Sequence, residues 1–356
     1  MAAAIHQLVA GFRPGDAISN EALLMRFHFR QWGCESEIFC DAGYVSNEAD
    51  INVLKLEELR PRLHPEDTVI LHLSIGCQAN LLFPTLPCRR VILYHNITPA
   101  RFFERIDSVT AACLAEGRRQ AAELAGAADI NLADSAFNAS ELAAMGYRDP
   151  KVLPLMIDLG ESSQKYSPTF TRPYEDGALN ILFVGRIAPN KRHDELLRVF
   201  HDLQHYVEPF SRLLLVGSYG GAEAYRTLLL GQAFTLGVRR VVFTGAIPQQ
   251  DLNACYRIAT VFLCMSEHEG FCAPLLEAMH HDIPVVAVGD AAVPETMGGA
   301  GVLFRRRDYP LIAETIGRIA KDPALRQSII EGQRRRLAAY RARSFGDELK
   351  AALFPA

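Results

Sequence analysis

Val261-Phe-Leu-Cys-Met-Ser-Glu-His-Glu-Gly-Phe-Cys-Ala-Pro-Leu-Leu-Glu-Ala-Met-His280 is followed four residues later by Pro284-Val-Val-Ala-Val288. The first four residues are apolar on both faces, which suits a parallel strand covered on each side by helices. A polar loop comes next, and a helix begins near Pro274. Proline suits a first helical turn because its missing N–H would have had no partner there. A second buried strand, Pro284–Val288, closes a strand–loop–helix–strand unit, the building block of doubly wound α/β sheets.

The same alternation extends through the chain. In the second half, strands read at Asn180–Val184, Arg212–Val216, Val241–Thr244 and Val302–Phe304 join the two above. Helices fall between them at Asp194–Tyr206, Ala222–Leu236, Gln250–Ile258 and Ala273–His280. In the first half, strands read at Ile5–Ala10, Ser36–Cys40, Thr68–Leu73, Arg90–Tyr94, Ile130–Ala133 and Lys151–Pro154, with helical patterns such as Asn20–Trp32 and Ile106–Ala125. The interval Asp158–Ala178 is rich in Ser, Thr, Pro, Tyr and Gly and reads as a linker. Beyond Phe304 the chain is helical: Leu311–Lys321, Ala324–Arg343 and Phe345–Leu353. The expectation is an α/β protein of two facing Rossmann-like domains, residues 1–160 and 178–344, with ligands in a cleft at the carboxyl ends of both sheets.

Bulk properties agree. The 356 residues suit two domains, and 49% apolar with 22% charged residues is an ordinary globular balance. A formal net charge of −4 argues against a dedicated nucleic-acid binder. The start, MAAAIHQLVAGFRPGD, lacks the basic region of a secretory signal. No stretch approaches the roughly 18 apolar residues of a membrane span. The 8 cysteines are scattered without a C-x-x-C pair, which reads as reduced, mostly buried thiols and makes zinc unexpected. A soluble, cytoplasmic protein is expected; the sequence is silent on oligomeric state.

The loop and helix of the opening stretch carry the chemistry. The backbone N–H groups of Cys272, Ala273 and Leu275, with the positive end of the helix dipole, make a seat for a diphosphate. Phe271 lies in the same loop. Glu277, about one turn into the helix, could accept hydrogen bonds from ribose hydroxyls, and Glu269 would face what lies beyond the phosphates. An acidic loop followed by a helix-dipole glutamate is the plainer alternative. After the strand Asn180–Val184, Gly185 permits a sharp turn, and Arg186 and Lys191 could neutralise a departing diphosphate. A basic loop at the surface is the alternative there.

Other strand ends add candidates. Gly11–Asn20 enters a helix, with Gly15, Asp16 and Ala17 placed for phosphate approach; Asp16 could equally cap the helix. His95 and Asn96 end the strand before Pro99 and would project into the cleft, unless the histidine caps the turn. Asp134, Ser135 and Asn138 follow another strand and open a helix, where Ser and Asn are also ordinary caps. Gly217, Ser218, Gly245 and Ile247 end the neighbouring strands of the second half. Glu295 and Thr296 read as structural. Arg305–Arg307 and Arg334–Arg336 read as solvated charges. Phe102 and Phe103 beside arginines could touch a membrane surface, although adjacent phenylalanines are more often core.

The segment Ser266–Met279 resembles the E-x7-E motif of family-four retaining glycosyltransferases of the GT-B fold, with Glu269 and Glu277 as its acids. Gly185–Lys191 is similar to the family's G-R-x-x-x-x-K element. The resemblance implies that Glu269 contacts the donor sugar, Glu277 the ribose, and Arg186 and Lys191 the pyrophosphate. It also implies that His95 contacts the transferred sugar, that Ser135 lies in the cleft, and that Gly245 and Ile247 edge the nucleobase. Cys272 departs from the pattern, since many members have Gly there. The implied function is retaining transfer of a hexose-type sugar from a UDP- or GDP-sugar to a glycan, lipid-linked or small-molecule acceptor. The donor would sit on the second domain and the acceptor on the first, with peripheral membrane contact and the final helix, residues 345–356, packed back onto the first domain. No D-x-D pair sits in a donor loop, so no metal and no cofactor beyond the sugar nucleotide is expected. Three alternatives stay open: a sugar-nucleotide epimerase of this architecture, a non-catalytic donor-binding partner of another transferase, and a nicotinamide-dependent oxidoreductase, which lacks its phosphate fingerprint here.

Overall fold

The computed structural model describes residues 3–13, 16–41, 53–157, 159–160 and 165–355. The chain divides into two compact units. The first comprises Met1–Glu104, Ser108–Ile157 and Arg343–Ala356, and the second comprises Arg105–Asp107 and Asp158–Ala342.

The first unit holds a sheet of β1 (Ile5–Val9), β2 (Ile38–Cys40), β3 (Val53–Lys55), β4 (Thr68–Leu73), β5 (Arg89–Tyr94), β6 (Ile130–Ala133) and β7 (Lys151–Val152). Its order is β3-β2-β1-β4-β5-β6-β7, and every pairing is parallel. The second unit holds β8 (Leu179–Val184), β9 (Ser211–Val216), β10 (Val241–Gly245), β11 (Val261–Cys264), β12 (Val285–Val288) and β13 (Val302–Phe304). These run in the order β10-β9-β8-β11-β12-β13, again all parallel. Both are the doubly wound order in which the chain winds one way, returns to the centre and winds the other. Each therefore has a switch point, between β1 and β4 and between β8 and β11, where ligands bind at the carboxyl ends of the strands.

The central strands are buried along their whole length in β1, β4, β9, β11 and β12. Burial on both faces is what parallel strands between helical layers show, and here it also encloses Gln7 of β1 and His72 of β4. β3 escaped the sequence reading because it is three residues long and only partly buried. The helix Ala17–Gln31 starts where the Asp16 carboxylate accepts the Ser19 N–H at 3.1 Å. It ends before Gly33, whose φ of +81° suits a helix terminus. The last helix, Phe345–Leu353, sets Phe345, Leu349 and Leu353 into one core with Ile5, Met25, Phe29, Ile70, Val91 and Leu132 of the first unit.

Part of the stretch read as linker is built structure of the second unit. Ser167 N–H bonds to the Gln250 carbonyl, Asn253 Nδ2 to the Lys165 carbonyl, and Arg212 pairs with Asp176 at 2.7 Å. All eight cysteines are free thiols. Among the described residues, no helix is long and apolar enough to cross a membrane.

Candidate active site

At the switch point of the second unit, the loops after β8 and β11 run side by side and are tied at successive residues. The Glu267 N–H bonds to the Asn190 carbonyl at 2.8 Å. Asn190 Nδ2 returns to the His268 carbonyl at 3.0 Å. Lys191 Nζ pairs with the Glu269 carboxylate, and Arg192 Nη1 reaches Glu267 Oε2 at 2.5 Å. Residues 190–192 and 267–269 therefore form a short side-by-side zipper that holds two ion pairs, Lys191 with Glu269 and Arg192 with Glu267. Arg192 itself sits at φ +53°, a left-handed conformation uncommon outside glycine. It is held there by Asp194 and Glu195 at the start of the helix His193–Asp202.

Sequence reasoning gave Lys191 and Glu269 separate tasks; the structure makes them partners. Glu269 is buried, and burial, the largest influence on Lys191, is outweighed by the charge of Glu269, so the ammonium pKa lies above its usual value. Arg186 is exposed, with Nη2 3.3 Å from the Gly220 carbonyl. Arg307 is a correction, since it is not a solvated charge. Its guanidinium bridges Glu195 at 2.7 Å and Asp290 at 2.6 Å, bracing the zipper from behind. Arg336 likewise holds the Thr296 carbonyl at 3.0 Å. The signals missed were Asn190, Arg192 and Glu267. They flank the cation and the acid in sequence, but only the register between two distant loops pairs them.

The floor of this end of the sheet is glycine. Gly185 N–H bonds to the Val216 carbonyl, and Gly217 N–H to the Gly245 carbonyl at 3.2 Å. At Gly217, φ is +150° and a Cβ would lie 2.1 Å from the Gly185 carbonyl oxygen. At Gly245, φ is +72° and a Cβ would meet the Tyr219 ring at 3.2 Å. Side chains are excluded so that three strand ends lie open. Ile247 lies just beyond, half-buried.

The helix after β11 runs Ala273–His280, with Cys272 in the left-handed region at φ +72°. Leu275 is a correction: its N–H is taken by the Cys272 carbonyl at 3.1 Å and is not free for a phosphate. Phe271 is buried, and its carbonyl accepts the Thr296 hydroxyl. Glu277 accepts the Tyr256 hydroxyl at 2.5 Å. Burial raises its carboxyl pKa, and the tyrosine bond offsets part of that. One carboxylate oxygen is thus committed to the protein, which orients the other.

In the first unit the sequence candidates divide. Gly15 lies outside the described residues. Asp16 caps the helix Ala17–Gln31, as one of its two readings had it. Ser135 is fully buried and caps the helix Ala136–Ala144 by accepting the Asn138 N–H at 3.1 Å, so it is a correction to the cleft placement. Asn96, at φ +82°, gives its side-chain amide to Asn138 and Glu141. His95 is buried, with Nδ1 3.0 Å from Asp134 Oδ2 and Nε2 2.8 Å from His72 Nδ1. Both ring nitrogens therefore have protein partners, where the resemblance implied contact with the transferred sugar. Phe103 is buried in the core, while Arg101 covers the half-buried Phe102 ring at 4.7 Å.

Known proteins are similar to this chain in sequence and in fold. The profile of the family described as Glycosyl transferases group 1 matches residues 172–336. O-antigen chain mannosyltransferase B of Escherichia coli is 30% identical over 148 residues, 41% of this chain and 38% of that protein. D-inositol 3-phosphate glycosyltransferase of Streptomyces bingchenggensis is 29% identical over 247 residues, 65% of this chain and 52% of that protein. The chain thus spans about half or less of the length of these curated relatives. Among solved structures, HepE of Anabaena in complex with UDP and glucose superposes with a TM-score of 0.72 at 18% identity, covering 99% of both chains. Sucrose-phosphate synthase of Thermosynechococcus elongatus gives 0.71 at 18% identity, covering 98% of this chain and 97% of that one. At such identities the structural likeness speaks for the fold. The match to the group 1 glycosyltransferase profile thus lies in the second unit, over residues 172–336, and the two Rossmann-like units have the GT-B architecture.

Proposed function

We propose that the chain is a family-four, retaining glycosyltransferase that moves a hexose-type sugar from a UDP- or GDP-sugar to the hydroxyl of a glycan, lipid-linked or small-molecule acceptor. The observation that carries this reading is the zipper of residues 190–192 against 267–269. It joins the G-R-x-x-x-x-K cation to the first acid of E-x7-E at the switch point of the family-matched unit. The UDP and glucose bound to HepE support a nucleotide-sugar donor here.

In this reading Arg186, Lys191 and the amides of Cys272 and Ala273 take the diphosphate, with Gly185 leaving room for it. Glu277 takes the ribose with its uncommitted oxygen, and Gly245 and Ile247 border the base. Phe271 packs beneath the loop that places Glu269 on the transferred sugar. Lys191 leaves Glu269 when phosphate arrives, because the dianionic diphosphate is the stronger partner for a half-buried ammonium. The C1–diphosphate bond breaks as the acceptor oxygen bonds to C1 on the same face. The acceptor's proton passes to the departing diphosphate, so no protein base is needed and configuration is kept. No metal and no cofactor takes part, and the protein works in the cytoplasm, with the acceptor-binding first unit making any contact with a membrane surface.

Calorimetric titration with UDP, GDP and ADP in chelator tests this, alongside Arg186→Ala and Glu277→Ala. One nucleotide binding without metal, and both variants weakening it, supports the donor site. Binding of none, or loss of activity in chelator, sinks the metal-free reading. An epimerase would release free sugar without any acceptor, and a non-catalytic partner would bind donor without turnover.

A further inference from the structure

A line of buried hydrogen bonds crosses the carboxyl ends of four neighbouring strands in the first unit. It runs from Gln7 on β1 to His72 on β4, to His95 after β5, and to Asp134 after β6. Its protons can be assigned by elimination. Gln7 Nε2 donates to the Ala22 carbonyl at 2.9 Å, and a carbonyl can only accept, so the amide is fixed one way round. Gln7 Oε1 therefore faces His72 Nε2 at 2.9 Å, and that nitrogen must carry a hydrogen. Burial, with His95 adding to it, holds the His72 pKa well below the usual histidine range, so this ring has one proton only. Its Nδ1 is then an acceptor, and His95 Nε2, 2.8 Å away, must donate to it. On its other side, His95 Nδ1 faces Asp134 Oδ2 at 3.0 Å, with Glu21 Oε2 at 3.7 Å. A carboxylate accepts, so Nδ1 carries a hydrogen as well.

We infer that Gln7 and His72 are positioning residues which fix His95 as an imidazolium, a buried cation that gives and takes no proton in the reaction. Its use in glycosyl transfer rests on the function proposed above; its charge does not. Such a cation is a fixed positive charge at the carboxyl end of the first sheet, with both its N–H groups committed to the protein.

The groups facing the cluster balance that charge. Asp134 supplies the counter-ion, and Asp16 and Glu21 approach from the helix Ala17–Gln31 and its cap. Arg343 approaches from the segment leading into the last helix. Burial, then the charge of Asp134, pushes the Glu21 carboxyl up to about 8, so Glu21 is protonated at neutral pH. For His95 burial is the largest influence and opposes the charge, but the charge and hydrogen bond of Asp134, the next largest, carry its pKa above the usual value. A metal ion would compete for the same atoms, since ligand atoms of Glu21, His72 and His95 lie within 4.8 Å of one another. The two histidine nitrogens, however, point at each other rather than at a common third point.

The test is a long-range proton–nitrogen spectrum of the full chain with labelled histidine, together with metal analysis. At about pH 7, where an ordinary histidine is mostly neutral, the wild type should show one ring with both nitrogens protonated, His95, and one Nε2–H ring, His72. Gln7→Leu should free the His72 proton to either nitrogen and lower the His95 pKa by about one unit. On the proposed transfer reaction that predicts a Gln7→Leu kcat that falls as pH rises where the wild-type kcat holds, with donor KM little changed. A neutral His95 ring in the wild type, or one equivalent of tightly held metal, overturns the inference. So does a Gln7→Leu chain whose spectrum and titration match the wild type. If no donor is ever turned over, the proposed function fails while the ring signals still decide this assignment.

Discussion

Lys191 and Glu269 can be found in the sequence by their loops, but their ion pair cannot, because 78 residues separate them. The pairing changes what a substitution should do. Glu269→Gln releases the ammonium from its internal partner, so a nucleoside diphosphate without sugar should bind at least as tightly as to the wild type, while transfer is lost. Calorimetry beside a turnover assay reads both, and weaker nucleotide binding would show that the pair does not compete with phosphate. Gly217 makes a second residue-level case. A Cβ there would lie 2.1 Å from the Gly185 carbonyl oxygen, so Gly217→Ala must push two strand ends apart. A loss of roughly 1–3 kcal/mol is expected for such overpacking, read by denaturant unfolding. Arg307 shows what hid such contacts. In sequence it sits in a run of three arginines, and nothing local distinguishes it from the exposed pair before it.

At the level of elements, the strand–helix alternation was legible because parallel strands between helices are buried on both faces and therefore mostly apolar. The zipper was not, since it depends on the relative register of two loops. Its outer rung, Arg192 with Glu267, should show a coupling of about 0.5–3 kcal/mol in a double-mutant cycle on unfolding stability. Additive single effects would mean that the loops hold without it. The segment before β8 was obscured by composition: its serine, threonine and proline content reads as linker, yet hydrogen bonds to Gln250 and Asn253 fix it. The last helix gives a simpler expectation. Leu349 is fully buried in the core of the first unit, so Leu349→Ala should cost about 2–5 kcal/mol, with the loss appearing in probes of that unit.

Across the whole molecule, pH should act through Glu21. Its folded pKa, about 8, lies above the ordinary carboxyl value. The folded state therefore holds a proton that the unfolded chain releases. The stabilisation is fully present below the unfolded pKa and is lost as pH rises through about 8, at up to ~1.4 kcal/mol per pH unit for one proton. Glu21→Gln cannot ionise, so its unfolding temperature should fall less than that of the wild type between about pH 5 and pH 8. Equal slopes would show that Glu21 is already ionised in the folded chain. The chain also passes from the first unit to the second near residue 158 and returns at Arg343. Ile5, Met25 and Phe29 therefore share a core with Phe345, Leu349 and Leu353. During synthesis those early residues emerge from the ribosome long before their partners, whereas the second unit is encoded between them. The usual order, in which the amino-terminal domain closes first, is reversed here. The second unit can finish folding on the ribosome while the first waits, its apolar face uncovered and open to chaperones, for residues 343–356 to be made.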